Sequence, residues 1–528
     1  MGSRYEQHLA DAAARWPDKT AIVHGTYRIS YSDLLEAVER FAAALVGVAG
    51  LDDGERCVMF MDNRIDVAVG VFGTLRAGGV FSVVNPATKA DKLGFVLADC
   101  SASVIFTQAS LLPVALAAAA RAPSVRKMVV VDADASLESD GKLVAALERF
   151  VSSPMAIPLA ARPIGIDADL AMLVYTSGST GNPKGVMMTH ANIEHAATSI
   201  TTYLRSSTDD VVLSVLPLAF DYGLYQLLMC VKMASTLVLE KSFAFPQKVL
   251  PLLASEGVTV FPLVPTMAAL IVQLRSFDPR WAQGIRCVTN TAAALPPAHI
   301  AKLQATFPQA RIYSMYGVTE SKRCTWLPPE QLALRPDSVG IAIPGTEVWV
   351  AGEDGKQVPA GTVGELVVRG GHVMQGYWNN EAATARALRP GRYPWERVLH
   401  TGDLFRMDEE GFLYFVARRD DILKTRGEKV SPKEVENVLY AIAGVKEAAL
   451  VGVPDPVLGH SLKALLVTDG TVLDSRDVIA HCRRHLEDFM VPREVEFRDA
   501  LPRTGTGKIR RSALQAEAEG REMEPADA

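Results

Sequence analysis

The sequence is poor in the features that mark most special classes of protein. Cysteine is scarce, with six in 528 residues: Cys57, Cys100, Cys230, Cys287, Cys324 and Cys482. No two form CxxC, which argues against a zinc site or a redox pair. Six are also too few for a disulfide scaffold, so they read as reduced, buried, small apolar residues. The charged start, MGSRYEQHLADAAARWPD, holds no apolar signal core, and a cytoplasmic location is expected. Gly2 follows Met1, but Glu6 stands where the myristoylation pattern needs Ser or Thr. The longest apolar stretches, residues 211–228 and 261–274, are broken by prolines, and the first also by Asp221. Neither supplies the roughly 20 clean residues of a membrane span. No fixed-period repeat is present. A large charge excess is missing too: 54 Lys plus Arg against 60 Asp plus Glu leave a net charge of −6. That argues against a nucleic-acid coat but leaves room for a local basic pocket holding a phosphate ligand.

What is present is ordinary globular material, 49% hydrophobic and 22% charged, which excludes disorder of the whole chain. At about 150 residues per domain the length allows three to four units. Short β-branched runs at residues 57–61, 103–107, 127–131, 171–176, 211–217, 237–240 and 284–289 alternate with Ala/Leu-rich helical stretches. That rhythm predicts α/β architecture with partly parallel sheets. Residues 33–48 read as an amphipathic helix capped by Ser30 or Ser32. Beyond Pro344, short strands at 347–351, 365–369, 404–407 and 412–416 are separated by Gly-rich turns, the texture of β-hairpins. The dense charge of residues 417–427 marks a boundary. Residues 432–443 and 475–485 then read as helices, and 445–453 and 493–497 as strands, making an α+β unit of about 100 residues. Residues 517–528 read as a disordered tail.

The strongest local chemistry is YTSGSTGNPKG, residues 175–185. Glycines let backbone N–H groups converge on one anion, hydroxyls add donors, and Lys184 adds charge. It is a phosphate-gripping loop without the P-loop order, because Gly185 follows the lysine. In YGVTE, residues 316–320, a hydroxyl beside a carboxylate suits Mg²⁺ near phosphates; alone, the run is equally a turn with a solvated acid. In HTGD, residues 400–403, a carboxylate after a glycine turn suits ribose hydroxyls or is an ordinary cap. The run from Arg418 through Lys429 is alone a solvated linker. PRTGTGKIRR, residues 502–511, presents Lys508 on a glycine-rich loop or is simply a basic loop.

Together and in this order, these runs resemble the adenylate-forming superfamily: acyl-CoA synthetases, nonribosomal peptide synthetase adenylation domains and firefly-type luciferases. The resemblance runs from about Tyr5 to Leu514, and AGGVFSVVNP, GELVVRG with GYW, and RRDDILKTRGEKVSPKEVE belong to it. It implies an α/β fold: a large multi-lobed N-terminal domain of two α/β subdomains plus a β subdomain, residues 1–418, and a small mobile α+β domain, residues 419–516. It implies ATP-dependent, AMP-forming activation of an acid, followed by transfer to a thiol. Thr176, Ser177, Gly178, Ser179, Thr180, Gly181 and Lys184 would grip the β,γ-phosphates. Tyr316 would stack on adenine, Thr319 would meet the α-phosphate, and Glu320 would hold Mg²⁺. Asp403 and Arg418 would hold the ribose. Lys508 would bridge the substrate carboxylate and the α-phosphate. Asp420 would be the hinge, after which the segment around Gly427 lines the thiol tunnel, and Lys429 would add a cation for the nucleotide. Ala417 departs from the family's usual glycine.

For the acid, Phe220 and Asp221 stand where aryl and fatty acyl ligases often have a histidine. In amino-acid-activating relatives an aspartate there pairs with the substrate ammonium; alternatively Asp221 bonds local backbone N–H groups. Thr291 and Ala292 replace the usual glycine pair, and with Ala293 they fill the pocket floor. FDYGLYQ with YGVTESKR looks most similar to prolyl carrier-protein ligases. The resulting expectation is an amino acid, with L-proline the best guess, loaded onto the phosphopantetheine of a carrier protein supplied in trans, in secondary metabolism. The alternative is an acyl-CoA ligase using free coenzyme A.

Overall fold

The structure is a computed structural model describing residues 4–134, 144–152, 165–176, 183–274, 276–291, 297–419, 423–425, 428–455, 459–486, 488–504 and 508–520. The β-branched runs form two large sheets, of nine and eight strands among the described residues. The eight-stranded sheet is centred on Val80–Val84, Arg56–Phe60 and Ala102–Gln108, which pair in parallel. Val80–Val84 is buried at every position, as a parallel strand covered on both faces must be. The nine-stranded sheet carries Val211–Ser214, Val260–Leu263, Cys287–Asn290 and Arg311–Tyr316, again parallel. Phe41, Phe72, Tyr225 and Phe261, from elements on both sheets, share one hydrophobic cluster, so the two lobes have a continuous core. The amphipathic helix spans Tyr31–Gly47, and Ser30 caps it by accepting from the Asp33 amide.

The hairpin region forms a five-stranded antiparallel sheet from Thr346–Ala351, Val363–Gly370, Arg397–Met407, Leu388–Pro390 and Leu413–Arg418. One expectation changes here. HTGD lies inside the long strand Arg397–Met407, not in a turn before it. Gly402 adopts φ 74° there and the pairing slips a residue on either side, so a glycine bulge mimics a turn in the sequence pattern.

The last unit packs helices Pro432–Tyr440 and Ser475–His485 on strands Val445–Asp455, Gly459–Thr468 and Glu494–Phe497. Val435, Leu439, Leu450, Leu466, Val478 and Cys482 form its own core. The expected tail starts too early: helix Arg511–Ala518 runs through residue 517, and Glu517 receives two hydrogen bonds from Arg498. Residues 521–528 lie outside the described residues. All six cysteines are free and buried, and burial pushes Cys57, Cys100, Cys230, Cys287 and Cys324 up to about 12, so none is poised as a thiolate. No described helix is long and apolar enough to cross a membrane.

Gly223 shows how tightly the corner before helix Asp221–Met233 is built. A Cβ there would lie 2.3 Å from the Pro217 carbonyl oxygen and 2.8 Å from that of Leu216. Backbone must move to admit a methyl, so Gly223→Ala is expected to cost about 1–3 kcal/mol and lower the thermal midpoint. An unchanged midpoint in differential scanning calorimetry would show that the corner yields freely.

Candidate nucleotide and acid site

Four segments distant in sequence meet between the lobes. The first is the mouth of the glycine loop. Strands Leu170–Thr176 and Lys184–Thr189 pair antiparallel, and Thr176 stands opposite Lys184. Ser177, Gly178, Ser179, Thr180 and Gly181 lie outside the described residues, so the structure describes only the posts of that loop.

The second segment leaves strand Arg311–Tyr316 and turns sharply at Gly317. A Cβ on Gly317 would fall 1.8 Å from the Lys322 carbonyl oxygen, so only glycine fits. The turn sets Thr319 and Glu320 half-buried at the rim. The Glu320 carboxylate accepts a 2.7 Å bond from the Tyr377 hydroxyl and forms no ion pair among the described residues. With one oxygen held by Tyr377 and no ion pair among the described residues, the Glu320 carboxylate would suit a Mg²⁺ ion, which would neutralise phosphate charge.

The third segment carries Asp403, which is 3% exposed. Its carboxylate accepts from the Tyr316 hydroxyl at 2.6 Å and from Arg418 Nε at 3.2 Å. Asp403 and Arg418 are register partners on adjacent strands, which fixes the pairing. Burial raises the Asp403 carboxyl against the opposing pull of Arg418 and Tyr316. The Tyr316 ring is held edge-on by Phe405 at 4.8 Å.

The fourth segment is the C-terminal loop. Thr504 and Lys508 close it through the Thr504 amide to the Lys508 carbonyl at 2.7 Å, and the Lys508 amide to Thr504 Oγ1 at 3.2 Å. Lys508 is exposed as a residue. Burial lowers its ammonium, Arg418 lowers it further, and Asp221 and Asp403 oppose both. The Lys508 ammonium thus lies in the electrostatic field of Arg418, Asp221 and Asp403.

Asp221 opens helix Asp221–Met233, and both it and Phe220 are half-buried. Its surroundings bear on the amino-acid expectation. Lys322, 2% exposed with its ammonium 5.4 Å over the Tyr225 ring, is raised by the fields of Asp221 and Glu320 although burial lowers it overall. The fields of Lys322 and Lys508 reach Asp221, but neither lysine forms an ion pair with it among the described residues, and the buried Lys322 Nζ has no hydrogen-bond partner there. Ala292, Ala293 and Asp420, the expected hinge, lie outside the described residues, as does the side chain of Lys429.

Sequence reasoning missed three contributors. Tyr377, in GYW, holds Glu320. Glu365, in GELVVRG, accepts from Arg419 at 3.2 Å and from the Gly402 amide at 3.0 Å, and it pairs with His400 at 3.0 Å. Burial alone would raise Glu365, but His400 and Arg419 bring it below the usual carboxylate value. Lys322 follows YGVTE directly. Each sits in or beside a quoted motif, but none carries a spacing that signals its partner.

Known proteins match this chain over nearly its whole length. A family model described as AMP-binding enzyme matches residues 9–378, and one described as AMP-binding enzyme C-terminal domain matches residues 434–508. A feruloyl-CoA synthase of an Amycolatopsis species is 34% identical over 93% of this chain and 94% of its own. A long-chain-fatty-acid–CoA ligase of Bacillus subtilis (strain 168) is 30% identical over 97% and 94%. Among solved structures, ATP-bound MatB from Rhodopseudomonas palustris superimposes with a TM-score of 0.87 at 28% identity, covering 98% of this chain and 99% of that one. A benzoate CoA ligase from Burkholderia xenovorans LB400 gives 0.85 at 27%, over 97% and 99%.

The lowered Lys508 ammonium gives a pH signature. If adenylation needs the cation, kcat/KM for acid-dependent ATP–pyrophosphate exchange falls as pH rises through a value below the ordinary lysine value of 10.5. Asp221 and Asp403 raise that value, so Asp221→Asn moves the alkaline limb to lower pH. A limb unmoved by this change would separate Asp221 from Lys508.

Proposed function

The chain belongs to the AMP-binding enzyme family and is an AMP-forming acid–thiol ligase, and from that premise we propose that it activates a non-amino carboxylic acid and uses free coenzyme A as its thiol acceptor. In the first half-reaction a carboxylate oxygen of the acid attacks the α-phosphorus of ATP and expels pyrophosphate. In the second, the coenzyme A sulfur attacks the acyl carbon and AMP leaves.

The observation that carries the first half is the buried Asp403 carboxylate held by Tyr316 and Arg418, with the Lys508 ammonium in the same electrostatic field. Two anions must be brought together for attack, and a cation lowers that barrier when it binds the shared negative charge most tightly in the transition state. Lys508 would take this role. Asp403, with its orientation fixed by Tyr316 and Arg418, offers its carboxylate to the ribose hydroxyls. Lys184 and Thr176, at the loop mouth, face the leaving phosphates. Mg²⁺ at Glu320 would neutralise phosphate charge.

The acceptor rests on the relatives, two acid–CoA ligases that match more than nine-tenths of the chain. The acid rests on Asp221. The fields of Lys322 and Lys508 reach Asp221, and two cations so near would repel a substrate ammonium. The carrier-protein reading keeps only the sequence likeness of FDYGLYQ and YGVTESKR.

AMP release should be followed over aryl, fatty, dicarboxylic and amino acids, each with coenzyme A and with a phosphopantetheinylated carrier protein. Coenzyme A-dependent release with a non-amino acid supports this function. Exchange confined to amino acids, or transfer confined to the carrier, overturns it. With the preferred acid, Asp221→Asn should leave its KM within about tenfold of wild type, whereas loss of a charged hydrogen bond to a substrate ammonium would raise it by about 100-fold.

A further inference from the structure

The strand that carries GYW serves no step of the adenylation chemistry directly, yet it ties two parts of the site together. Gly376–Tyr377 pairs antiparallel with Lys184–Thr189, setting Tyr377 opposite Val186 and Gly376 opposite Met187. The Trp378 amide donates to the Gly185 carbonyl at 2.7 Å, and the Gln375 amide to that of Met187 at 3.0 Å. On the other side, the Met374 amide donates to the Glu320 carbonyl at 2.8 Å. Residues 374–378 therefore bridge the strand that leaves the phosphate loop and the turn that carries Glu320.

Tyr377 makes the same bridge with its side chain. Its hydroxyl donates to Glu320 Oε1 at 2.7 Å, and its ring lies under the Lys184 ammonium, 5.4 Å from Nζ to the ring centre. The tyrosine is half-buried, and a phenol against a carboxylate is the donor of the bond. A carboxylate held through one oxygen presents the other in a fixed direction. A lysine lying on a ring face loses less freedom when it takes up a phosphate, because that face has already narrowed its rotamers.

We propose that Tyr377 is a positioning residue that couples the Glu320 carboxylate to the Lys184 ammonium, so that the metal and the departing phosphates are held at a fixed separation. This rests on the adenylate-forming reading of the site but not on the identity of the acid or of the thiol. The hydroxyl serves the metal side and the ring serves the phosphate side, so two substitutions separate the two functions.

The test is ATP binding by isothermal titration calorimetry while Mg²⁺ is varied, with neither acid nor coenzyme A present. A failure of the proposed substrate or acceptor therefore leaves this test intact. Tyr377→Phe keeps the ring and should raise the Mg²⁺ concentration for half-maximal ATP affinity by about tenfold, as loss of a hydrogen bond to a charged group requires. Its affinity for metal-free ATP should match wild type. Tyr377→Leu should weaken metal-free ATP as well. The thermal midpoint of Tyr377→Phe without ligand, compared with wild type, establishes that the variant is folded. A folded Tyr377→Phe with an unshifted Mg²⁺ dependence overturns the proposal. So does equal weakening of ATP with and without metal, which is what a merely structural role would give.

Discussion

The site is organised around a single buried carboxylate. Asp403 is almost fully enclosed, and an isolated charge there would be costly. Its two neighbours meet that cost in a way that also assembles the site. Tyr316 comes from the end of a parallel strand in the nine-stranded sheet, and Arg418 from the last strand before the C-terminal unit. Lys508 enters the same field from the far end of the chain. Satisfying one acid thus draws together a lobe, a hairpin sheet and the terminal domain. The residual upward shift of Asp403 means that its ionised form gains from further donors, and two ribose hydroxyls are well suited to supply them.

A second carboxylate, Glu365, repeats the device one strand away. It holds Arg419, His400 and the Gly402 amide, and so fixes the bulge on which Asp403 sits. Arg418 and Arg419 are consecutive, and each is bound by a different buried acid of the N-terminal sheet. Just beyond, Ser431 Oγ donates to the Val416 carbonyl at 2.6 Å, and the Lys433 ammonium lies 4.6 Å over the Phe415 ring. Burial lowers Lys433 to about 8. The described orientation of the last unit is therefore fastened by polar contacts, each individually modest, that a rotation could exchange for others.

Much of this was legible in the sequence. Five of the seven runs seen in the N-terminal portion fall on strands within a residue or two at each end, because parallel strands buried on both faces leave an unmistakable apolar run. The run at 211–217 becomes Val211–Ser214, and that at 284–289 becomes Cys287–Asn290. Lys508, Asp403, Tyr316 and Glu320 were legible through their motifs, which the chemistry spaces tightly. Three things were not. The bulge at Gly402 has the composition of a turn. The end of helix Arg511–Ala518 is acidic like a tail, and its anchor Arg498 is distant in sequence. Above all, Asp221 has the residue type of an ammonium ligand, but it lies in the field of Lys322, which is near it only in three dimensions. Proximity of that kind leaves no periodic trace.

The account turns on Lys508 acting in acid activation and not in thioester formation, and a comparison of half-reactions in Lys508→Ala tests this most directly. ATP–pyrophosphate exchange with the preferred acid should fall by at least about 100-fold, the scale for removing a preorganised transition-state charge. Thioester formation from a supplied acyl-adenylate and coenzyme A should stay within about tenfold of wild type. Equal losses in both half-reactions, or exchange that survives the substitution, would contradict the account.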